Sequence, residues 1–234
     1  MLIIAYAKGV KKLNKLIGLQ EAVKKIKNGD VVMVGGFLGC GGPNMILDYI
    51  ADNTDLKDLT LICNDTAFPE VGVGKMVVKK MFKKIIASHI GTNKETGRQM
   101  SEEETEVVLV PQGTLAEQVR SGGYGLGGVL TKTGLGSKEI EEGKKIIEID
   151  GEKWLLEKPL KADVALLNCA KADKFGNLEF HGSTQNFNTL MAFAAETVIV
   201  QADKVVEIGE LNPDNIRVPG VLVTDIVDGG KING

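Results

Sequence analysis

Side chains that carry chemistry are scarce in this chain. Its 234 residues include two histidines, three cysteines and one tryptophan, and aromatics make up 5%. Cys40, Cys63 and Cys169 stand far apart with no Cys-x-x-Cys pair. That spacing offers neither a metal motif nor a disulfide framework, and it fits a reduced, cytoplasmic setting. Neither His89 nor His181 lies near a Gly-x-Ser-x-Gly elbow, so a serine triad has no local support. Nowhere do ~18 apolar residues run together, so no membrane span is expected. Residues 1–15 hold one short apolar run before Lys8, with no small-residue cleavage site after it. They read as an N-terminal extension of a single domain over 16–234 rather than as a secretory signal. Charge of one sign is missing too: 28 basic against 31 acidic residues leave −3. With no basic run interleaved with aromatics, nucleic acid is not an expected partner.

What the chain does have is glycine and short apolar runs. Its 29 glycines exceed the usual ~7% share, and they cluster near 35–42, 72–74, 122–128 and 134–136. A chain of this length can bury roughly 70–75% of its unfolded surface. Buried-strand patterns at 31–34, 58–63, 84–88, 106–110, 163–167 and 197–201 alternate with helical ones, and a further short strand is expected at 221–223. Alternation without a repeat predicts an α/β fold: a mostly parallel, doubly wound open sheet. The glycine-rich stretch from Ser121 and the hairpin pattern about Asp150-Gly151 predict a small antiparallel excursion over 121–160.

The most informative stretch is Asn28 to Pro43, NGDVVMVGGFLGCGGP. A short strand runs into a loop of bare backbone, and Pro43 is pre-set for the start of a helix over 44–50. Such a junction presents amide N–H groups to an anionic or carbonyl-bearing ligand. It lacks the Lys-Ser/Thr end of a P-loop, and Asn44 stands where a dinucleotide fingerprint needs its third glycine. A tight strand-to-helix turn with no ligand is the competing reading. Cys40 within the loop has no base near it in sequence and reads as a small filler rather than a nucleophile.

The spacing Asn28-Gly29, three apolar residues, Gly35-Gly36-Phe37, Gly41 and Pro43 resembles the signature of family I coenzyme A transferases, in the form carried by their A (alpha) subunit. The likeness runs from about Leu16 to Val227. It takes in Asn64-Asp65-Thr66, Ile90-Gly91-Thr92-Asn93, Pro111-Gln112-Gly113-Thr114-Leu115, Asn186-Phe187-Asn188 and Val218-Pro219-Gly220-Val221. It is nearest to subunits that move CoA between acetate or butyrate and acetoacetate.

The resemblance implies a ping-pong reaction through a glutamyl-CoA thioester, with CoA as substrate and no permanently bound cofactor or metal. The nucleophilic glutamate is expected on a B-subunit partner, within a Ser-Glu-Asn-Gly-type motif that this chain lacks. No catalytic nucleophile is therefore assigned here. The expected CoA- and substrate-binding residues are Gly35, Gly36, Phe37, Leu38, Gly39, Cys40, Gly41, Asn64 and Gln112, acting in a hetero-oligomer of A and B chains on acyl-CoA and short-chain acids. A succinyl-CoA:3-oxoacid subunit, a sugar-phosphate isomerase-like enzyme and a non-catalytic binding module remain alternatives.

Overall fold

A computed structural model describes residues 14–230. The first thirteen positions of the expected N-terminal extension lie outside the described residues. Seven strands form one parallel sheet: β1 (Val31–Val34), β2 (Leu59–Asp65), β3 (Phe82–His89), β4 (Glu106–Leu109), β8 (Ala162–Asp173), β10 (Ala195–Val206) and β11 (Asp225–Asp228). Their spatial order is β11-β10-β8-β1-β2-β3-β4, and the two-residue β9 (Leu178–Glu179) runs antiparallel on β8. The chain therefore winds outward from β1 in one direction and from β8 in the other. β1 and β8 are neighbours, with Val32 opposite Val164 and Val34 opposite Leu166. The crevice beyond their carboxyl ends is the topological switch point, where open α/β sheets place ligands.

The period-two pattern of the strands decides which core each residue joins. Val32, Val34, Leu61, Cys63 and Leu166 face one layer. That layer is closed by helices α1 (Leu19–Val23), α2 (Asn44–Asn53) and α3 (Val73–Val78), with α4 (Lys94–Ser101) packed on α3. Met33, Ile62, Ala165 and Leu167 face the other layer, against α5 (Gln112–Tyr124) and α7 (Asn188–Ala194). α2 fits because Ile46, Leu47, Ile50 and Ala51 share one helical face, all at most 3% exposed. The doubly wound expectation holds.

The antiparallel excursion holds as well, as a three-stranded sheet of β5 (Val129–Thr131), β7 (Glu152–Glu157) and β6 (Lys145–Ile149), with the single turn α6 (Lys138–Glu141) between β5 and β6 in the chain. Asp150 and Gly151 both take positive φ, as a two-residue type I′ hairpin requires. Buried Glu157 ties this sheet to the body, accepting from Lys144 Nζ at 2.6 Å and from Gln118 Nε2 of α5 at 2.9 Å.

Three expectations change. The strand expected at 221–223 is a 3-10 turn, Gly220–Leu222, and the last strand begins at Asp225. Glycine-rich 121–124 continues α5 instead of leaving it. The third concerns the boundary drawn after residue 15, since Lys15 belongs to the fold. Ile226 N donates to Lys15 O at 2.9 Å and Ile17 N donates to Ile226 O at 2.9 Å, so residues 15–17 pair along β11 and cover that sheet edge. Lys15 is 9% exposed, and its Nζ donates to Gly220 O (2.6 Å) and Val223 O (2.8 Å) and lies 4.8 Å from the Phe175 ring centroid. Burial lowers its pKa. Lys15→Ala strands two buried carbonyls and is expected to reduce unfolding free energy by about 2–3 kcal/mol, read from the urea midpoint.

Candidate active site

β1 ends on the bond from Gly35 N to Leu166 O (3.0 Å), and the glycine-rich loop leaves the sheet there, at the switch point. Phe37 and Cys40 exchange two backbone bonds of 2.9 Å around Leu38 and Gly39, both at positive φ. The loop thus folds into a miniature hairpin, with one residue, Leu38, in a conformation that branched side chains resist.

Side chains of the asparagine family hold this hairpin from three sides. From the end of β2, Asn64 Nδ2 donates to Gly36 O at 2.7 Å, and Asp65 Oδ1 accepts from Leu38 N at 3.0 Å. From the start of α2, Asn44 Nδ2 donates to Gly39 O at 2.9 Å. From the segment entering α7, Asn186 Oδ1 accepts from Gly36 N at 3.1 Å, and fully buried Asn188 donates to Gly41 O at 2.9 Å. Glycine is required where these arms close in. A Cβ on Gly35 would sit 1.9 Å from Asn188 Oδ1. Gly36, at φ 108°, would put one 2.8 Å from the Gly42 backbone.

This arrangement alters what the loop can offer. The amides of residues 35, 36, 37, 38, 40 and 42 all donate within the protein, which leaves those of Gly39 and Gly41. The first turn of α2 is also engaged, since Met45 N and Ile46 N both point at Gln201 Oε1 of β10 (3.0 and 3.4 Å). Pro43 is the residue before that helix rather than its first member. Beside the loop lies an open pocket of about 460 Å³ lined by Phe37, Cys40, Asn64, Gln112, Ser183, Asn186, Phe187 and Leu190. Of the residues expected at the site, Phe37, Cys40, Asn64 and Gln112 meet here. Gly35, Gly36 and Gly39 instead line a water-sized gap behind the loop, and Leu38 and Gly41 line neither space.

Gln112 is the first residue of α5, after Pro111 at the N-cap, and its Nε2 donates to Asn64 Oδ1 at 2.7 Å. Ser88 Oγ, at the end of β3, contacts Gln112 Oε1 and lies 2.8 Å from Asn64 O. Strand ends β1, β2 and β3 and the start of α5 are thereby joined by one line of polar groups. Neither histidine lines the pocket, and no acidic side chain does. Among the described residues no cluster of His, Cys, Asp or Glu could hold a metal ion. Burial pushes the thiols of Cys63 and Cys169 well up, whereas Cys40 is exposed at the pocket wall.

Sequence reading missed Ser88, Ser183, Phe187, Leu190 and the clamping roles of Asn44, Asp65, Asn186 and Asn188. Their partners lie 5 to 150 residues away in the chain. Asn186 takes φ 23° before α7, a conformation visible only in the fold.

A family model for coenzyme A transferase matches residues 17–229. The chain belongs to the coenzyme A transferase family. Acetate CoA-transferase subunit alpha of Escherichia coli K12 is 50% identical over 91% of this chain and 96% of its own. Acetoacetyl-CoA:acetate/butyrate CoA transferase alpha subunit of Clostridium acetobutylicum is 48% identical over 92% and 97%. The acyl-CoA transferase of Escherichia coli O157:H7, solved as a thioester complex with CoA, superposes with a TM-score of 0.82 over 92% of this chain at 20% identity, a likeness of fold. This chain spans 47% of that longer protein.

Asp65 is the clamp member whose loss is easiest to read. It is 4% exposed, its second oxygen accepts from Ala67 N at 2.9 Å, and burial raises its pKa despite the two amides and nearby His89. Asp65→Ala leaves two amides unpaired and is expected to cost about 2–4 kcal/mol in chemical denaturation. The folded carboxyl holds its proton to higher pH than the unfolded one. Its linkage contribution is therefore full below the unfolded pKa and is lost as pH rises through the folded value. The gap between wild type and Asp65→Ala should accordingly be widest in acid and narrow toward neutrality.

Proposed function

We propose that this chain is the A subunit of a two-subunit CoA-transferase. It would move CoA between a short-chain acyl-CoA, acetyl or butyryl, and acetoacetate, with the nucleophilic glutamate supplied by a B subunit. The observation that carries this reading is the composition of the pocket. It offers amide donors at fixed positions and an apolar wall of Phe37, Phe187 and Leu190, yet no carboxylate to attack a thioester. Asp65, the nearest acid to the loop, spends both oxygens on backbone amides.

In this mechanism the partner's glutamate attacks the acyl carbonyl and expels CoA thiolate. The thiolate attacks the glutamyl carbonyl of the resulting anhydride and releases the first acid. The incoming carboxylate then takes CoA from the glutamyl-CoA thioester by the same two steps in reverse. Negative charge develops on a carbonyl oxygen at each attack. Gln112 Nε2 keeps a second proton beyond the one given to Asn64, and that proton serves the oxyanion. A donor held in place before charge appears works without reorganisation. The apolar wall suits a two- to four-carbon acyl chain, and the size of the pocket falls in the ordinary range for small ligands. CoA enters as substrate and leaves as part of the product. Among the described residues no helix is long and apolar enough to cross a membrane. Three unpaired thiols accord with a cytoplasmic location.

The test is reconstitution with the B subunit. The chain alone is expected to transfer no CoA between acetyl-CoA and acetoacetate, while the A–B complex does so. Gln112→Ala in the complex should lower kcat about 100-fold with assembly unchanged by size-exclusion chromatography. Full transfer by this chain alone would sink the subunit reading.

A further inference from the structure

The polar line at the pocket can be assigned a direction, because its far end is a group that can only accept. Gly36 O lies 2.7 Å from the Asn64 amide, so Asn64 must turn Nδ2 toward it and Oδ1 away. Oδ1 then faces Gln112 across 2.7 Å and needs a donor there, which makes that atom Nε2 and turns Gln112 Oε1 toward Ser88. Ser88 has one hydroxyl proton and two acceptors in reach, Asn64 O and Gln112 Oε1. The opposite polarity would set Asn64 Oδ1 against Gly36 O, oxygen to oxygen at hydrogen-bond distance. Gln112 Oε1 can therefore only accept from Ser88, whose single proton is shared between Gln112 Oε1 and Asn64 O, so the donors of the chain run from β3 toward the loop. Each bond polarises the next, so the line is stronger than its members apart.

We infer that Ser88 is a positioning residue for the transfer reaction: its hydroxyl locks the Gln112 amide so that Nε2, not Oε1, meets the reacting carbonyl. Ser88 does not itself line the pocket and touches no reacting atom. Without its hydroxyl, Gln112 is held by Asn64 alone, and the exposed amide turns about its last torsion, presenting its oxygen for part of the time. An oxygen facing a developing oxyanion repels it. The loss therefore appears in the chemical step rather than in substrate binding. This inference rests on the transferase reading for its kinetic consequence, but the amide lock itself can be observed without turnover.

The experiment has two arms. In the A–B complex, Ser88→Ala is expected to lower kcat about tenfold while KM for acetyl-CoA stays within about twofold. Ser88→Thr, which keeps the hydroxyl on a strand that tolerates β-branching, should recover activity to within about threefold of wild type. In a Gln112→Ala background the same Ser88→Ala change should alter kcat by less than about twofold, because the group it orients is gone.

In the second arm the full chain is labelled with nitrogen-15, and the Gln112 side-chain amide pair is identified by its absence in Gln112→Ala. Its two proton shifts should be well separated and protected from exchange in wild type and Ser88→Thr. In Ser88→Ala they should collapse toward free-amide positions. An undiminished kcat in Ser88→Ala, a full Ser88→Ala loss persisting without Gln112, or an unmoved Gln112 amide resonance each overturns the inference. A wild-type complex that transfers no CoA overturns the transferase reading instead and leaves the amide comparison decisive for Ser88.

Discussion

A loop with five glycines among its eight residues has to be held largely by its backbone, and the rest of this site depends on how that is done. The segment from Gly35 to Gly42 leaves the middle of the sheet and doubles back within a few residues. Its carbonyls and amides are therefore carried into the interior, where an unpaired polar group costs about 1–3 kcal/mol. Asn44, Asn64, Asp65, Asn186 and Asn188 supply the partners. These short side chains carry an acceptor, or a donor and an acceptor, on stems with little conformational freedom. They arrive from β2, α2 and the entry to α7, three elements on both windings of the sheet. The loop can reach its final form only after those elements have docked, so the site is a product of the tertiary fold and not of local sequence.

The same constraint explains why the pocket is built beside the loop rather than over it. Most loop amides are used in holding the loop, and Gln201 occupies the first turn of α2. On the proposed reading the donors left for a ligand are side-chain amides at the strand ends, above all Gln112. A helix begins at that glutamine after Pro111, whose ring removes one N–H that the first turn could not pair in any case. The position of Gln112 is thus set by a strand end, a proline and a helix start. Placement of this kind is tighter than a free loop allows.

Much of this fold is legible in the sequence because parallel strands buried on both faces are written as unbroken apolar runs. Val32, Met33, Val34 and Ile85 are buried within such runs, with Val31 and Ile86 partly buried beside them. Legibility ends where burial stops following polarity. β8 and β10 run to twelve residues each, yet only the first part of each is an apolar run. Their polar continuations, such as Asn168 and Lys204, are strand because the two strands pair with each other along their length.

Gly122 and Gly123 look like helix breakers, but a Cβ there would meet Leu160 O at 1.8 Å and Phe193 Cβ at 2.6 Å. They are contact residues inside α5. Val221 to Val223 copies the apolar signature of a strand, while Pro219 and Gly220 bend it into a 3-10 turn. Phe37, Asn64 and Gln112, which share one pocket wall, are singled out only by the resemblance to coenzyme A transferases, since an Asn or Gln after a strand is by itself more often a turn former. Ser88 is not singled out at all, since its meaning comes from Gln112, 24 residues further on.

The neutrality of the donor line has a consequence for the proposed reaction. Both acids in such an exchange are carboxylates, and so is the nucleophile. Two unit charges 4 Å apart interact by about 4 kcal/mol at an effective dielectric constant of 20. A lysine in the place of Gln112 would attract the bound acid and the glutamate in their ground states by an amount of that order. It would slow product release and blunt the nucleophile as much as it helped the transition state. An acid in that place would repel both. An amide pair binds a neutral carbonyl modestly and an oxyanion more strongly, since hydrogen bonds to charged acceptors are about twice as strong as neutral ones. Its advantage therefore grows only as charge develops. That selectivity requires the amide to keep its nitrogen forward, and the directed chain from Ser88 to Gly36 holds it there.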